Sequence, residues 1–488
     1  MKTKSLLMLT VLAILATVGF TGCDELAVED NPMQAYLTMR TSDVTLKVGE
    51  TYVRKAVAAG TAVVVYSSSD ATVATVDQQG KVTANNPGTA TITAQTTGYN
   101  AEGKKIYLAE EKSYKVTVVT ALSAPLTLQV LTPGTIVVNK PQPGMQYSLN
   151  GGAKKAVPDG TAINGGDLNV GDKVSFYGDD TSITAYSDGT TSTTIKDGTA
   201  EVKVYGNIMS LVDEENFATN KTLTGGDAFR ALFYDNTYLT DASDLLLPAT
   251  TLTGYCYYDM FNGCTSLTAA PELPATDLTG ASYCYCSMFQ GCTSLTTAPE
   301  LPATDLTGAS YCYSCMFAGC TSLTTAPELK ATKIDAGCYN GMLQGCTNLT
   351  TAPAELPAMT MASVCYAGMF AGCTSLTTAP KLPATTLDFG CYYLMFSGCT
   401  SLTTAPKLPA TTLATFCYYF MFSGCTNLTN AYVKAVYTTS SNKCTSMFNG
   451  CTNAATLHTT AANQASWDGV MGPTKTWTTW TTASDWTD

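Results

Sequence analysis

Between residues 256 and 264 the apolar side chains recur at a fixed interval. Cys256, Met260 and Cys264 are spaced i, i+4, i+8, and Tyr257 and Phe261 are also four apart. This spacing predicts a short helix with a Cys/Met/Cys stripe beside a Tyr/Phe pair on one side. Gly263 stands where a helix C-terminus wants a left-handed residue. Leu267 then points inward, and Thr268-Ala269-Ala270 suits a short extended segment. Pro271 and Pro274 keep that segment brief, because neither donates to a β ladder. The unit returns with its Met at 260, 288, 316, 342, 369, 395, 421 and 447, an interval of 26–28 residues. A degenerate earlier copy runs Leu232-Phe233-Tyr234-Asp235. A fixed period in this range predicts a solenoid, in which each coil buries its apolar face against its neighbours.

The N-terminal part alternates with a period of two. Val44–Gly49, Val63–Ser69, Ala71–Asp77 and Thr89–Gln95 read as short strands, with a hairpin turn at Gln78-Gln79-Gly80-Lys81 and another turn at Asn85-Asn86-Pro87-Gly88. A second group of strand candidates follows at Pro125–Val130, Thr135–Val138, Met145–Leu149, Lys173–Tyr177 and Glu201–Tyr205. Turns such as Asn150-Gly151-Gly152 separate them, so this stretch predicts a second all-β domain.

The phrase from Ser68-Ser69-Asp70 through Ala74-Thr75-Val76-Asp77, Gly80-Lys81-Val82-Thr83-Ala84 and Gly88-Thr89-Ala90-Thr91-Ile92-Thr93-Ala94 resembles the bacterial Ig-like domain, group 2 (Big_2). That resemblance implies a β-sandwich serving as a spacer or adhesive module. The repeating Met-Phe-x-Gly-Cys-Thr-Ser-Leu-Thr-Thr-Ala-Pro-x-Leu-Pro unit resembles the BspA-type leucine-rich repeat, with Met in place of the usual Ala. The whole layout resembles Bacteroides-type surface lipoproteins. The expected fold is therefore mainly β with short helices. It comprises an Ig-like β-sandwich at 36–119, a second all-β domain at 125–206, a leucine-rich-repeat solenoid at 207–457 and a Trp-containing C-terminal cap at 458–488.

The N-terminus reads as an address. Lys2 and Lys4 precede an apolar run, Ser5–Phe20, that is too short for a comfortable membrane span and reads as a signal peptide over 1–22. Thr21-Gly22-Cys23 closes it and resembles a bacterial lipobox, which implies cleavage before Cys23 and lipidation of its thiol. Residues 23–35, with Asp24, Glu25, Glu29 and Asp30, form an acidic tether similar to the surface-export signal of Bacteroidota lipoproteins. The expected location is the outer membrane, lipid-anchored through Cys23 and exposed at the cell surface.

Charge and candidate chemistry narrow the function. The 488 residues carry 26 Lys+Arg against 38 Asp+Glu, a net charge of −12, so nucleic acid is excluded as a partner. The single His458 leaves little material for acid–base work near neutral pH. The paired carboxylates Glu272/Asp277 and Glu300/Asp305 recur with the repeat and give way to Lys381 and Lys407, so they read as loop charge. Asp167-Leu168-Asn169-Val170-Gly171-Asp172 alternates oxygen ligands but lacks the distal Glu of a calcium loop, and reads as turn chemistry.

Of 19 cysteines, sixteen recur with the repeat, and Cys286, Cys315 and Cys23 are extras. Two readings compete: a disulfide framework, or buried thiols stacked coil on coil. Across two helical turns the paired cysteines lie about 12 Å apart, beyond disulfide reach, which favours the stacked ladder. Cys312 and Cys315 have a C-x-x-C interval in one repeat alone. No cofactor, metal or catalytic motif is present. Trp467, Trp477, Trp480 and Trp486 are the only tryptophans. They read as a cap for the last coil or as a stacking surface for a ligand. The expected function is a non-enzymatic binding protein, an adhesin or protein-interaction scaffold meeting host or bacterial surface protein. The alternative is a glycan-binding lipoprotein.

Overall fold

The computed structural model describes Met33–Gln34, residues 37–119 and 124–468 apart from short internal gaps (the longest at 180–191), and Thr479–Thr481. The expected signal peptide, Cys23 and all but Met33–Gln34 of the tether lie outside the described residues, as do Trp477 and Trp486. The chain forms two compact units, Met1–Thr120 and Ala121–Asp488.

The first unit has two main sheets. One carries Val44–Lys47, Glu111–Val119, Gly88–Asn100 and Ala62–Ser68 in that order; the other carries Thr51–Val53, Lys81–Ala84 and Ala74–Val76. Their strands alternate as the sequence requires. Ala90 and Ile92 point inward from one strand, Val82 and Ala84 from another, and they meet Leu46, Val116 and Val118 in the core, while Ala94 packs with Leu37 and Tyr66 in a second cluster. Gly80 makes the predicted hairpin. Its φ is +77°, and an added Cβ would fall 2.3 Å from the Arg54 carbonyl oxygen. Asp77 closes that turn by accepting the N–H of Gln79 (2.9 Å) and of Lys81 (2.8 Å).

In the second unit the predicted strands form one sheet in the order Lys155–Ala156, Gln146–Leu149, Lys173–Tyr177, Thr127–Val130, Val202–Asn207 and Leu239–Leu246. The last strand belongs to the first coil and pairs in parallel with Val202–Asn207. The sequence suggested two bodies meeting near residue 206. The structure shows one sheet and one apolar core running from Leu126 to Trp467. The all-β segment thus covers the open N-terminal end of the solenoid, which a repeat array requires. At Asp167–Asp172 the carboxylate of Asp172 accepts the N–H of Asn169 and the side-chain amide of Asn150, both at 2.8 Å. These bonds hold its carboxyl below the ordinary range, as turn chemistry predicts.

The predicted helix is absent, and this corrects the reading of each repeat. In its place runs a ribbon of linked turns. The N–H groups of Tyr283, Tyr285, Ser287, Phe289 and Gly291 donate to the next coil, to the carbonyls of Ser310, Cys312, Ser314, Met316 and Ala318, at 2.8–2.9 Å. The intervening residues Cys284, Cys286, Met288, Gln290 and Cys292 donate three residues back within their own coil, at 3.1–3.3 Å. Positive φ recurs at every fourth residue, at Tyr283 (+60°), Ser287 (+54°) and Gly291 (+72°). The side chains therefore run two in and two out. Cys284, Tyr285, Met288, Phe289 and Cys292 are buried, while Tyr283 and Gln290 are half-buried on the outward side.

Each coil then turns at its inward Leu, such as Leu295 or Leu349 (both fully buried), and returns through the Pro-containing segment. Pro prevents a continuous ladder there. Between most coils only isolated parallel bridges form, such as Leu301 with Leu329 and Glu355 with Lys381. True strands reappear near the C-terminus, where Thr404–Leu408, Asn430–Val433, Thr456–His458 and Thr479–Thr481 pair in parallel.

Candidate recognition surface

The inward positions build three ladders. Tyr257, Tyr285, Tyr313, Tyr339, Tyr366, Tyr392 and Tyr418 stack with ring centroids 5.4–6.2 Å apart. Phe233, Phe261, Phe289 and Phe317 form a second stack, broken at Leu343 and resumed from Phe370 to Phe448. The third is the thiol ladder. The Sγ–H of Cys292 donates to the carbonyl of Phe261 at 3.1 Å, Cys320 to Phe289, Cys399 to Phe370 and Cys425 to Phe396. That carbonyl already accepts an N–H from its own coil, so the thiol takes its second lone pair.

All 18 described cysteines are free, and all but Cys315 are buried. Burial pushes the ladder thiols up, Cys346 and Cys451 to about 12, which suppresses the nucleophilic thiolate. The stacked-thiol reading thus stands on packing, although the helix that first argued for it does not exist.

Three tyrosine hydroxyls in the inner stack, those of Tyr257, Tyr313 and Tyr366, are buried without a hydrogen-bond partner. A buried unpaired hydroxyl costs about 1–3 kcal/mol. Replacing Tyr313 by Phe is therefore expected to leave stability unchanged or raise it by about 1 kcal/mol, since ring stacking is kept. The urea midpoint of the Tyr313→Phe variant measures this, and a clear drop would contradict it.

The sequence-predicted tryptophans divide. Trp467 is fully buried, its Nε1–H donates to the carbonyl of Ala435 at 3.0 Å, and its ring packs on Tyr437 and edge-on to Phe448. It continues the Phe ladder and closes it. With no open face it is a cap and offers no stacking surface. The backbone of Trp480 lies in the terminal strand, paired with Leu457. His458 stacks on Tyr432 with centroids 4.0 Å apart. Glu300 and Asp305 bond Lys330 (2.9 Å) and Lys333 (2.8 Å) of the next coil, and Asp277 accepts the N–H of Thr279, so the repeated carboxylates are loop charges.

Two surfaces remain for recognition. The first follows the repeat cysteine. Thr265, Thr293, Thr347, Thr374, Thr400, Thr426 and Thr452 face outward, and the hydroxyls of Thr293, Thr374, Thr400 and Thr452 donate to the carbonyl of the preceding coil's threonine, as Thr293 does to Thr265 at 3.3 Å. A parallel row runs through Thr268, Thr350 and Thr429. In the six coils from Cys264–Pro271 to Cys399–Pro406 the strip between the repeat cysteine and its Pro contains no charged side chain, which makes this face neutral and hydroxyl-rich.

The second surface is the outward side of the ribbon, where aromatic residues occupy positions that vary between coils. Tyr255, Tyr283 and Tyr311 stack face to face at 4.9 and 5.0 Å. The Arg230 guanidinium lies 5.4 Å from the Tyr255 ring. At the other end the Tyr311 ring lies on Gly337, where a Cβ would come within 2.2 Å of a ring carbon. Both ends of the stack are covered, so it exposes ring edges.

Further along, Phe389, Phe416, Tyr419 and Phe420 meet edge to face at 4.5–5.5 Å, and Tyr393 stacks on Tyr419. Phe389 is 47% exposed, the most exposed aromatic among the described residues. Reading the sequence for tryptophan missed this group. The available signal was variation: at the place of Tyr255 the later coils carry Gly337, Val364, Gly390 and Phe416.

These features define a class, a mainly β protein with an Ig-like unit and a leucine-rich-repeat solenoid whose variable outward positions decorate a constant core. Residues 37–104 match the bacterial Ig-like domain (group 2) family. Among solved structures the chain is similar to a leucine-rich repeat protein from Bacteroides ovatus ATCC 8483. The identity is 13%, the match covers 52% of this chain and 86% of that one, and the TM-score is 0.17. No curated protein sequence matches the chain.

Proposed function

We propose that the protein is a non-enzymatic interaction scaffold of the bacterial cell surface, anchored in the outer membrane through lipid on Cys23. Its solenoid, of BspA type, presents a protein-binding surface to host or bacterial surface protein, as an adhesin does. The observation that carries this reading is the aromatic group around Phe389 on a ribbon held by coil-to-coil hydrogen bonds. Aromatic anchors on a preorganised surface are what protein interfaces use as hot spots. The absence of charge from the Thr face agrees with close apposition of two proteins.

The glycan-binding alternative draws on the same aromatic wealth. A sugar needs an open ring face, however, and the Tyr255–Tyr311 stack covers its own faces. The repeated, buried thiols with raised pKa and a His458 stacked on Tyr432 supply no catalytic group.

One experiment tests the anchor and the surface together. Cells producing the wild-type protein, Cys23→Ala, or Phe389→Ser with Tyr419→Ser are applied to arrays of matrix proteins and of glycans. Wild-type cells are expected to be retained on protein spots. The Cys23→Ala protein is expected to leave the membrane fraction and retention to vanish. The double variant is expected to stay at the surface and lose binding at least tenfold. Retention on glycan spots that survives the double substitution would overturn the protein-binding reading.

A further inference from the structure

Two cysteines stand outside the ladders. Cys286 lies on the Met288 coil and Cys315 on the next, the Met316 coil. Sixteen described cysteines recur at inward positions, whereas these two occupy the outward pair of the four-residue ribbon period. The two coils share a tile of four small polar residues there, Cys286-Ser287 above Ser314-Cys315. The hydrogen bond from the Ser287 N–H to the Ser314 carbonyl, 2.8 Å, passes through the middle of that tile and fixes its register. The cysteines are thus its diagonal corners.

With about 4.8 Å between coils and about 3.8 Å between consecutive Cα atoms, that diagonal is about 6 Å. Disulfides form across about 4.4–6.8 Å. The Sγ of each cysteine lies 3.8 Å from the hydroxyl of the serine beside it, so both sulfurs stay over the tile. Burial pushes both thiols up, and Cys315 is near enough to Cys286 to add to the shift there. Cys315 is the only described cysteine that is not buried.

We propose that Cys286 and Cys315 are a redox-formed staple, a disulfide that ties the Met288 coil to the Met316 coil when the protein meets a small-molecule disulfide oxidant. The step balances as thiol–disulfide exchange. The Cys315 thiolate attacks one sulfur of the oxidant and expels the other as a thiolate, leaving a mixed disulfide. The Cys286 thiolate then attacks the Cys315 sulfur and expels the second oxidant thiolate. Two protein thiols are oxidised, one disulfide is reduced to two thiols, and the two cysteine protons pass to the expelled thiolates. The staple would lock the outward tile beside the Tyr255–Tyr283–Tyr311 stack and leave the inner thiol ladder untouched. Serine already fills both positions in the neighbouring coil, at Ser314 and Ser287, so the fold accepts serine at either corner.

The test uses the full mature chain, incubated folded at about pH 8 with oxidised glutathione. It is then alkylated and digested with pepsin without reductant, and read by mass spectrometry. The expected result is a cross-linked Cys286–Cys315 fragment and a loss of two titratable thiols. In Cys286→Ser the expected product is a glutathione adduct on Cys315. Three results would overturn the proposal: a glutathione adduct on wild-type Cys315 with no link to Cys286, cross-links to ladder cysteines instead, or an unchanged thiol count.

Discussion

Raising the pH through about 9–10 is expected to unfold the repeat unit steeply under reducing conditions. The cause is the thiol ladder. Burial pushes Cys264, Cys292, Cys320, Cys346, Cys373, Cys399, Cys425 and Cys451 above the ordinary value of 9.0, with Cys346 and Cys451 at about 12. Above that ordinary value the unfolded chain loses these protons while the folded chain keeps them. The unfolded state then binds fewer protons, so stability falls as pH rises. The contribution is fully present below 9 and is lost progressively toward 12. Each thiol costs about 1.4 kcal/mol per pH unit in that window. Eight together remove about 11 kcal/mol in the first unit or so, comparable with the entire stability of an ordinary domain. The urea midpoint between pH 7 and pH 10.5 measures the effect. A midpoint that stays level from pH 8.5 to 10, with reductant present, would show that the thiols are not held protonated by burial.

Replacing Trp467 by Ala is expected to destabilise the C-terminal coils by about 3–5 kcal/mol. The ring is fully buried, closes the Phe ladder against Phe448, and satisfies the Ala435 carbonyl through its indole N–H. Its loss opens a cavity, strands that carbonyl and exposes the last rung. Because a repeat array is held by nearest-neighbour contacts, the damage should be graded. Amides around Asn430–Val433 and Thr456–His458 should exchange much faster, those around Tyr285 and Tyr313 little. Hydrogen exchange read by mass spectrometry distinguishes this from uniform loss, which would mean that Trp467 is not a local cap. Trp467→Phe, which keeps the ring and drops the N–H, should recover most of the protection.

The period, the inward residues and the Ig-like strands were all legible in the sequence, because each depends on local pattern. Leu267 and its equivalents, the repeat Tyr and Phe, and the turn at Gly80 lie where their spacing put them. The binding surface was much less legible. Phe389, Phe416 and Tyr419 are scattered over 31 positions of sequence, and they meet only because coils stack. Trp467 illustrates the reverse: a large aromatic near a terminus suits both a cap and a platform, and only its packing partners decide between them.

What the sequence alone determined was therefore the repeat and its buried set, since a residue that recurs every 26–28 positions in a coil must meet its own kind above and below. Only the tertiary structure decided how the backbone carries that set. Over nine residues a helix of period 3.6 and a ribbon of period four both align Cys256, Met260 and Cys264. The choice fell to hydrogen bonds that no single repeat can make. With alternate N–H groups donating to the next coil, the chain gives up the helix's internal bonds, accepts a positive φ at every fourth residue, and gains a ladder along the array. The same bonding joins the first coil to the preceding β-sheet, so the place where two domains were expected is a shared edge.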